Sequence, residues 1–221
     1  TCRFKDKEYK DDFGVSLKHK EFYKGMEEGE VPKTSQPSPD EFFNLFKKYA
    51  EEGKDIIYIC VSSGLSGTYN SANIAKEMVQ DENIDVKIEI VDILTASLGQ
   101  GLMVKEAMRL KEGGATFQEV KSFLEETKWK LNTFITVDDL IHLKRGGRIS
   151  STAAFLGGLM SLKPLIAINN QGKVDVIQKA RGRKSALKEL AKYIINNIEE
   201  PESTTMYIGH CDALEDALKL K

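Results

Sequence analysis

Cysteine is scarce in this sequence, and the three it has stand far apart, at Cys2, Cys60 and Cys211. An odd, scattered set builds neither a disulfide framework nor a spaced metal site. Cys60 lies in an apolar run, where a free thiol acts as a small hydrophobe, and a reducing cytoplasm suits it. Long apolar runs are missing as well. No stretch reaches the length that spans a bilayer, and the opening residues do not read as a signal peptide. An excess of charge of either sign is also missing: 32 Lys and Arg stand against 34 Asp and Glu, a net −2. That balance gives no basic footprint for nucleic acid. A Walker loop, a His-Glu-x-x-His pair, a nucleophile elbow and a spaced Cys/His cluster are all absent from the sequence. What is there is a globular composition, 41% hydrophobic and 30% charged over 221 residues, enough for one large or two ordinary domains.

The chain is organised around Ser62-Ser63-Gly64-Leu65-Ser66-Gly67-Thr68-Tyr69-Asn70-Ser71-Ala72. Before it, Asp55 to Val61 is a continuous apolar run that reads as a strand buried on both faces. After it, Ile74, Ala75, Met78 and Val79 recur at helical spacing. The stretch is therefore a strand-to-helix turn. Its hydroxyls can cap the helix, and the free N–H groups of a first helical turn, with the positive end of the dipole behind them, suit an anion. A capped helix start with no ligand fits the same residues equally well.

The rest of the chain supplies the frame. A short hairpin is expected around Cys2 to Tyr9, and a short helix at residues 21–26. Prolines 32, 37 and 39 exclude helix from the segment that carries Thr34 and Ser35. Ser38 with Glu41 forms a capping box, and Pro39 falls at the first helical position. The helix it opens turns Phe42, Phe43, Phe46 and Tyr49 inward and stops at Gly53. Val86–Val91 and Asn132–Val137 read as further strands. Leu102 to Leu110 reads as a helix after the Ile93–Gly101 loop, and Thr116 with Glu119 caps another. Strands alternating with helices predict a mostly parallel sheet flanked by helices, with ligands outside the carboxyl ends of its strands. The pattern changes near Lys144–Ser150. Beyond it, Leu165–Asn169 and Val174–Ala180 make a hairpin, and Thr204–Gly209 reads as a last strand. The fold class expected is α/β in two domains, residues 1–145 and then 146–221, the second with an antiparallel sheet.

Other candidates are weaker. His210 sits two residues before Asp212, a pairing that serves catalysis or plain structure. His142 and His19 read as surface or packing residues. Arg145 and Arg148 flank a glycine pair and suit a carboxylate or a solvated helix end. Arg181 and Arg183 with Lys184 open a helix and suit a phosphate, an acidic partner or solvent.

Taken in order, Thr34-Ser35-Gln36-Pro37-Ser38-Pro39, Ser62 to Tyr69, Ser97-Leu98-Gly99-Gln100-Gly101, Leu143 to Ser150, Lys163-Pro164 and Arg181-Gly182-Arg183-Lys184 resemble the motifs of the DegV family of fatty-acid-binding proteins. The resemblance runs from the first residues to the last. It implies a long-chain fatty acid buried between two domains with its carboxylate innermost. It also implies a separate fatty-acid kinase that makes an acyl phosphate for phospholipid synthesis. The chain is then a carrier and not an enzyme, with no cofactor, no metal and only transient membrane contact. Two departures stand out. The family usually begins with a strand carrying Thr-Asp-Ser and usually ends with Gly-Thr-His-x-Gly-Pro-Gly. Neither occurs here, so the chain is expected to be a trimmed piece, and the terminal histidine's role does not pass to His210.

On this basis the carboxylate is expected at Thr34, Ser35, Ser62, Ser66, Gly67 and Arg148. The acyl tunnel is expected along Ala153–Leu162 and the helix after Gly101, and kinase docking at Arg181 and Arg183. The rival reading is an α/β hydrolase or transferase that uses Ser66 or His210 on a small anionic substrate. A third is a lipid-sensing regulatory module. A nucleophilic Ser66 needs an activating base, and the sequence shows none beside it.

Overall fold

The computed structural model describes residues 1–149 and 162–221. The expected hairpin is present as β1 (Cys2–Phe4) and β2 (Lys7–Tyr9), joined at Lys5 and Asp6 with φ of 48° and 58°, the backbone that tight hairpin turns require. The short helix is α1 (His19–Glu27), whose Phe22 ring packs against Phe4. A third strand, β3 (Lys33–Thr34), lies antiparallel to β1 and sets Thr34 opposite Cys2. The proline pattern had suggested only a stiff loop there.

The capping box holds in full. Ser38 Oγ accepts the Glu41 N–H at 3.2 Å, and Glu41 Oε2 accepts the Ser38 N–H at 2.7 Å. With both donors satisfied, α2 (Pro39–Glu51) starts where the residues say. It buries Phe42, Phe46 and Ala50. Tyr49 faces outward, contrary to expectation, with Lys48 and Lys54 over its ring. A phenol at the apolar margin of a helix can keep its edge wet and gain cation–π contact there.

Next come β4 (Ile56–Cys60), α3 (Thr68–Asp81), β5 (Ile88–Asp92), α4 (Leu98–Glu112) and α5 (Phe117–Thr127). β4 and β5 pair in parallel, Ile56 opposite Ile88. Side chains alternate across this pleat. Ile56, Tyr58, Cys60, Ile88 and Ile90 pack with α2 and α3, while Ile57, Ile59, Val91 and Ile93 pack with α4 and α5. Both faces of β4 are thus covered, but Ile56 to Ile59 are only half-buried, because β4 has one neighbouring strand among the described residues. α4 begins at Leu98, four residues before the sequence pattern suggested.

The second sheet is antiparallel, in the order β6 (Phe134–Thr136), β7 (Leu162–Ile168), β8 (Val174–Arg181). The sequence had placed β6 in the parallel sheet; it pairs instead with β7, Phe134 opposite Ala167. One face of this sheet packs Leu165 and Ala180 against Ala186 and Leu190 of α7 (Arg183–Asn197). The other packs Ile166 and Val174 with Leu140 and Leu143, near α6 (Ile141–Arg145), and with Leu65 of the first half. The expected strand at 204–209 does not form. These residues are irregular and exposed, with Lys105 Nζ of α4 donating to the Tyr207 hydroxyl, and α8 (Leu214–Leu220) follows.

Candidate functional site

The loops that leave the carboxyl ends of β4 and β5 run side by side. The Ser62 N–H donates to the Thr95 carbonyl at 2.8 Å, one rung beyond the strands. Asp92 ties the two loops together, since its Oδ1 accepts from the Ser63 N–H at 3.2 Å and the Leu94 N–H at 3.1 Å. Leu94 and Ser97 have φ of 53° and 55°. Such backbone costs about 1–3 kcal/mol per residue and persists where surrounding bonds impose it; at Leu94 the Asp92 carboxylate is that bond. Thr95 Oγ1 lies 2.7 Å from Thr133 Oγ1, which fastens the second loop to the entry of β6.

Ser62 is fully buried. Its Oγ donates to the Gly172 carbonyl at 2.8 Å and accepts the Gly64 N–H at 3.1 Å. A serine hydroxyl has a single proton. Here it goes to the turn between β7 and β8. Ser66, half-buried, has its Oγ 2.8 Å from Thr68 Oγ1 and accepts the Thr68 N–H at 3.2 Å. Gly67 is the N-cap of α3, and the first bond of the helix runs from the Ser71 N–H to the Gly67 carbonyl at 3.1 Å. The N–H groups of Tyr69 and Asn70 stand before that first bond, at the positive end of a helix of 14 residues. Hydroxyl, N–H and dipole converge where an anion is favoured.

Thr34 and Ser35 are exposed. Ser35 Oγ lies 2.6 Å from Thr1 Oγ1. The residue that brings their segment to α3 is Gln36, whose Nε2 donates to Ser71 Oγ at 2.8 Å and whose amide packs on Gly67. Sequence reading singled out neither Gln36 nor Gly172 as a site residue. For Gln36 the only signal was its place between two hydroxyls and a proline.

The arginines divide. Arg148 Nε donates to the Leu65 carbonyl at 3.0 Å and Nη1 donates to the Gly146 carbonyl, so this exposed guanidinium clamps the Ser62–Gly67 loop by its backbone. Arg181 is exposed at the end of β8. Arg183 is taken up inside the chain. Its Nε donates to Asp216 Oδ2 at 2.6 Å, and Nη1 donates to Thr136 Oγ1 at 3.4 Å. The Arg183 guanidinium is thus engaged by Asp216 within the chain. The pair in turn holds the Asp216 carboxyl below its ordinary range, first through Arg183 and then through Lys219.

Ser66 and His210 are not brought together: Ser66 bonds Thr68, while His210 Nδ1 accepts the Ala213 N–H at 3.3 Å. Cys60, fully buried at the end of β4, has its thiol pushed up to about 12 by burial and then by the Asp92 charge, so it stays protonated. Most of the expected tunnel, Ala153 to 161, lies outside the described residues. On its other expected wall, α4 buries Met103 and Ala107 and leaves Val104 and Met108 at the surface. Among the described residues no His, Cys, Asp and Glu group is arranged for a metal, and no helix is long and apolar enough to cross a membrane.

Comparison with known proteins places the chain in a family. A family model described as an uncharacterised protein of the DegV family matches residues 1–221. A DegV domain-containing protein of Clostridium perfringens is 44% identical over 216 residues, 98% of this chain and 74% of the relative. A DegV-family crystal structure from Ruminococcus gnavus, refined with vaccenic acid, superposes with a TM-score of 0.88 at 27% identity, over 99% of this chain and 77% of the other. The Streptococcus pneumoniae fatty acid kinase B3 protein, loaded with linoleic acid, superposes with a TM-score of 0.76 at 26% identity, over 89% of this chain and 68% of the other. With a family model matched along its whole length and a relative at this identity, the chain belongs to the DegV family.

Proposed function

We propose that this chain binds a long-chain fatty acid with its carboxylate at the start of α3 and presents that acid to a separate kinase. What carries the reading is the likeness over 99% of the chain to a structure refined with vaccenic acid. The geometry supports it through Ser66 and through the first-turn N–H groups of α3, which Gln36 joins to the Thr34 segment. Burying an acyl chain of about sixteen carbons contributes on the order of 10 kcal/mol at ~0.8 kcal/mol per CH₂. The carboxylate must then be hydrogen-bonded, or its desolvation cancels much of that gain.

On this reading the carboxylate ligands are Thr34, Ser66 and the Gly67 N–H, with Ser35 beside them, while Ser62 and Arg148 shape the loop. The chain acts as a carrier in the cytoplasm, without cofactor or metal, and touches a membrane only to exchange its cargo. The kinase docks over the site, where Arg181 is the free arginine of the pair first considered. We place the divide between the two domains before β6, since β6 pairs with β7, and not at 145/146. The test is mass spectrometry of the purified protein after gentle organic extraction, followed by titration of Ser66→Ala and Thr34→Ala with fatty acid. Each variant should lose about 1–3 kcal/mol of affinity, the scale of one hydrogen bond to a charged group. An empty protein that hydrolyses model esters would overturn the reading, and unchanged affinity in both variants would move the site elsewhere.

A further inference from the structure

The Ser62–Gly172 contact joins residues 110 positions apart. There the turn between β7 and β8 meets the α3 loop. Gly172 has φ of 69°, and a Cβ there would overlap Ser62 Oγ and lie 3.3 Å from Leu94 Cα. Gly64 answers from the other side, since a Cβ on it would stand 2.8 Å from both the Gln171 and Gly172 carbonyl oxygens. Two glycines thus face each other across the junction, one in each half, and both are needed for the backbones to approach this closely. The turn that carries Gly172 is itself braced. Asn169 Oδ1 accepts from the Gln171 N–H at 2.9 Å and the Lys173 N–H at 3.0 Å, and the Gly172 N–H donates to the Asn169 carbonyl at 2.8 Å.

We propose that this braced turn is a latch: Gly172 and Asn169 are positioning residues that set the carboxylate-binding loop through Ser62, without touching the ligand. The proposal rests on the fatty-acid reading above. Ser62 lies at the head of the loop. Its carbonyl accepts the N–H groups of Leu65 at 3.0 Å and Ser66 at 3.1 Å, and its Oγ accepts that of Gly64. Whatever orients Ser62 therefore orients Gly64, Leu65 and Ser66 together. The Gly172 carbonyl fixes the direction of the Ser62 hydroxyl, which leaves an oxygen lone pair aimed at Gly64. Preorganisation of this kind raises affinity by removing the ordering that binding would otherwise demand.

The experiment has two readouts on the ligand-free and palmitate-titrated protein. The first is amide hydrogen exchange at Gly64, Leu65 and Ser66 in Ser62→Ala, Gly172→Ala and Asn169→Ala, with the α7 amides as the reference for intact folding. The second is the palmitate dissociation constant of each variant and of the Ser62→Ala/Gly172→Ala double variant. The latch predicts exchange at the three loop amides faster by about tenfold in every single variant, with α7 unchanged, and palmitate binding weaker by about tenfold, the scale of one lost hydrogen bond. The double variant should bind no worse than the weaker single one, because both substitutions break the same bond. Unaltered loop exchange overturns the latch. Faster exchange with unaltered palmitate affinity overturns its role in binding. A wild-type protein that does not take up palmitate refutes the fatty-acid reading, and the exchange data then decide the latch by themselves. Asn169→Ala keeps the judgement open to Gly172→Ala failing to fold, since it loosens the turn with no added bulk.

Discussion

Gly67→Ala should cut the link between the Thr34 segment and the start of α3, and its cost can be worked from the structure. Gly67 has φ of −71° and ψ of 2°, backbone that alanine adopts freely, so strain is not the source. The source is Gln36. A Cβ on Gly67 would overlap Gln36 Oε1 and lie 2.8 Å from Nε2, where no Cβ is tolerated. The glutamine is flexible and exposed, so it swings away and takes its bond to Ser71 Oγ with it. Ser71 is buried, at 3% exposure, and its hydroxyl loses the amide donor. The expected loss is about 1–2 kcal/mol, between one net hydrogen bond and one unsatisfied buried group. For a chain of this size that lowers the melting midpoint by about 2–8 °C, at about 2–4 °C per kcal/mol. Gln36→Ala should cost about 1 kcal/mol by removing the same bond. The double variant is the decisive case. With the Gln36 side chain already gone there is nothing to overlap, so Gly67→Ala in that background should cost only what alanine loses against glycine at an N-cap, about 0.5–1 kcal/mol. Urea unfolding of the four proteins measures this directly. Additive costs would refute the argument, for they would show that Gly67→Ala acts through something other than Gln36.

Three further outcomes follow from the packing and charges. Under native iodoacetamide labelling near pH 8, exposed Cys211 should react first and Cys60 only on unfolding, since its thiol is buried and held up to about 12; early Cys60 adducts by peptide mass spectrometry would contradict that burial. Phe46→Ala should lower unfolding free energy by about 3–5 kcal/mol, because the ring is buried among Phe42 and Tyr58; a loss under 1 kcal/mol in denaturant titration would mean the site collapses around the gap. The Asp216 carboxyl, held below its ordinary 3.8 by Arg183 and Lys219, stabilises the docked α8 above that pH and loses its effect as pH falls through the lowered value. The protection of α8 amides, measured against their intrinsic exchange rates at each pH, should therefore fall on acidification in the native chain and already be low at neutral pH in Arg183→Ala; equal protection in both would sink the pairing.

What was legible in the sequence was what is decided within a few residues. Both capping boxes, Ser38 with Glu41 and Thr116 with Glu119, form with the bonds their spacing demands, because donor and acceptor belong to the same helical turn. The strand-turn-helix around Ser62 was legible for the same reason. The tertiary partners were not. Alternating Phe134, Ile135 and Thr136 say which face is apolar but not which edge is open, and β6 went to β7 and away from the parallel sheet. The residues at 204–209 carry a strand's apolar pattern yet pair with nothing described, since a pattern supplies a face and no neighbour. Gln171 and Gly172 announced a hairpin turn, and the turn is there. Its function lies in the Gly172 carbonyl, an atom every residue has, pointed at a serine in the other half of the chain. Ser62 looked like a ligand because it sits among hydroxyls at a helix start. In the folded chain it is fully buried and its single proton is spent on the Gly172 carbonyl, whereas Ser66 is half-buried. Side-chain type nominates the members of such a site. Burial and the direction of each proton depend on partners distant in the chain, and residue type does not carry them.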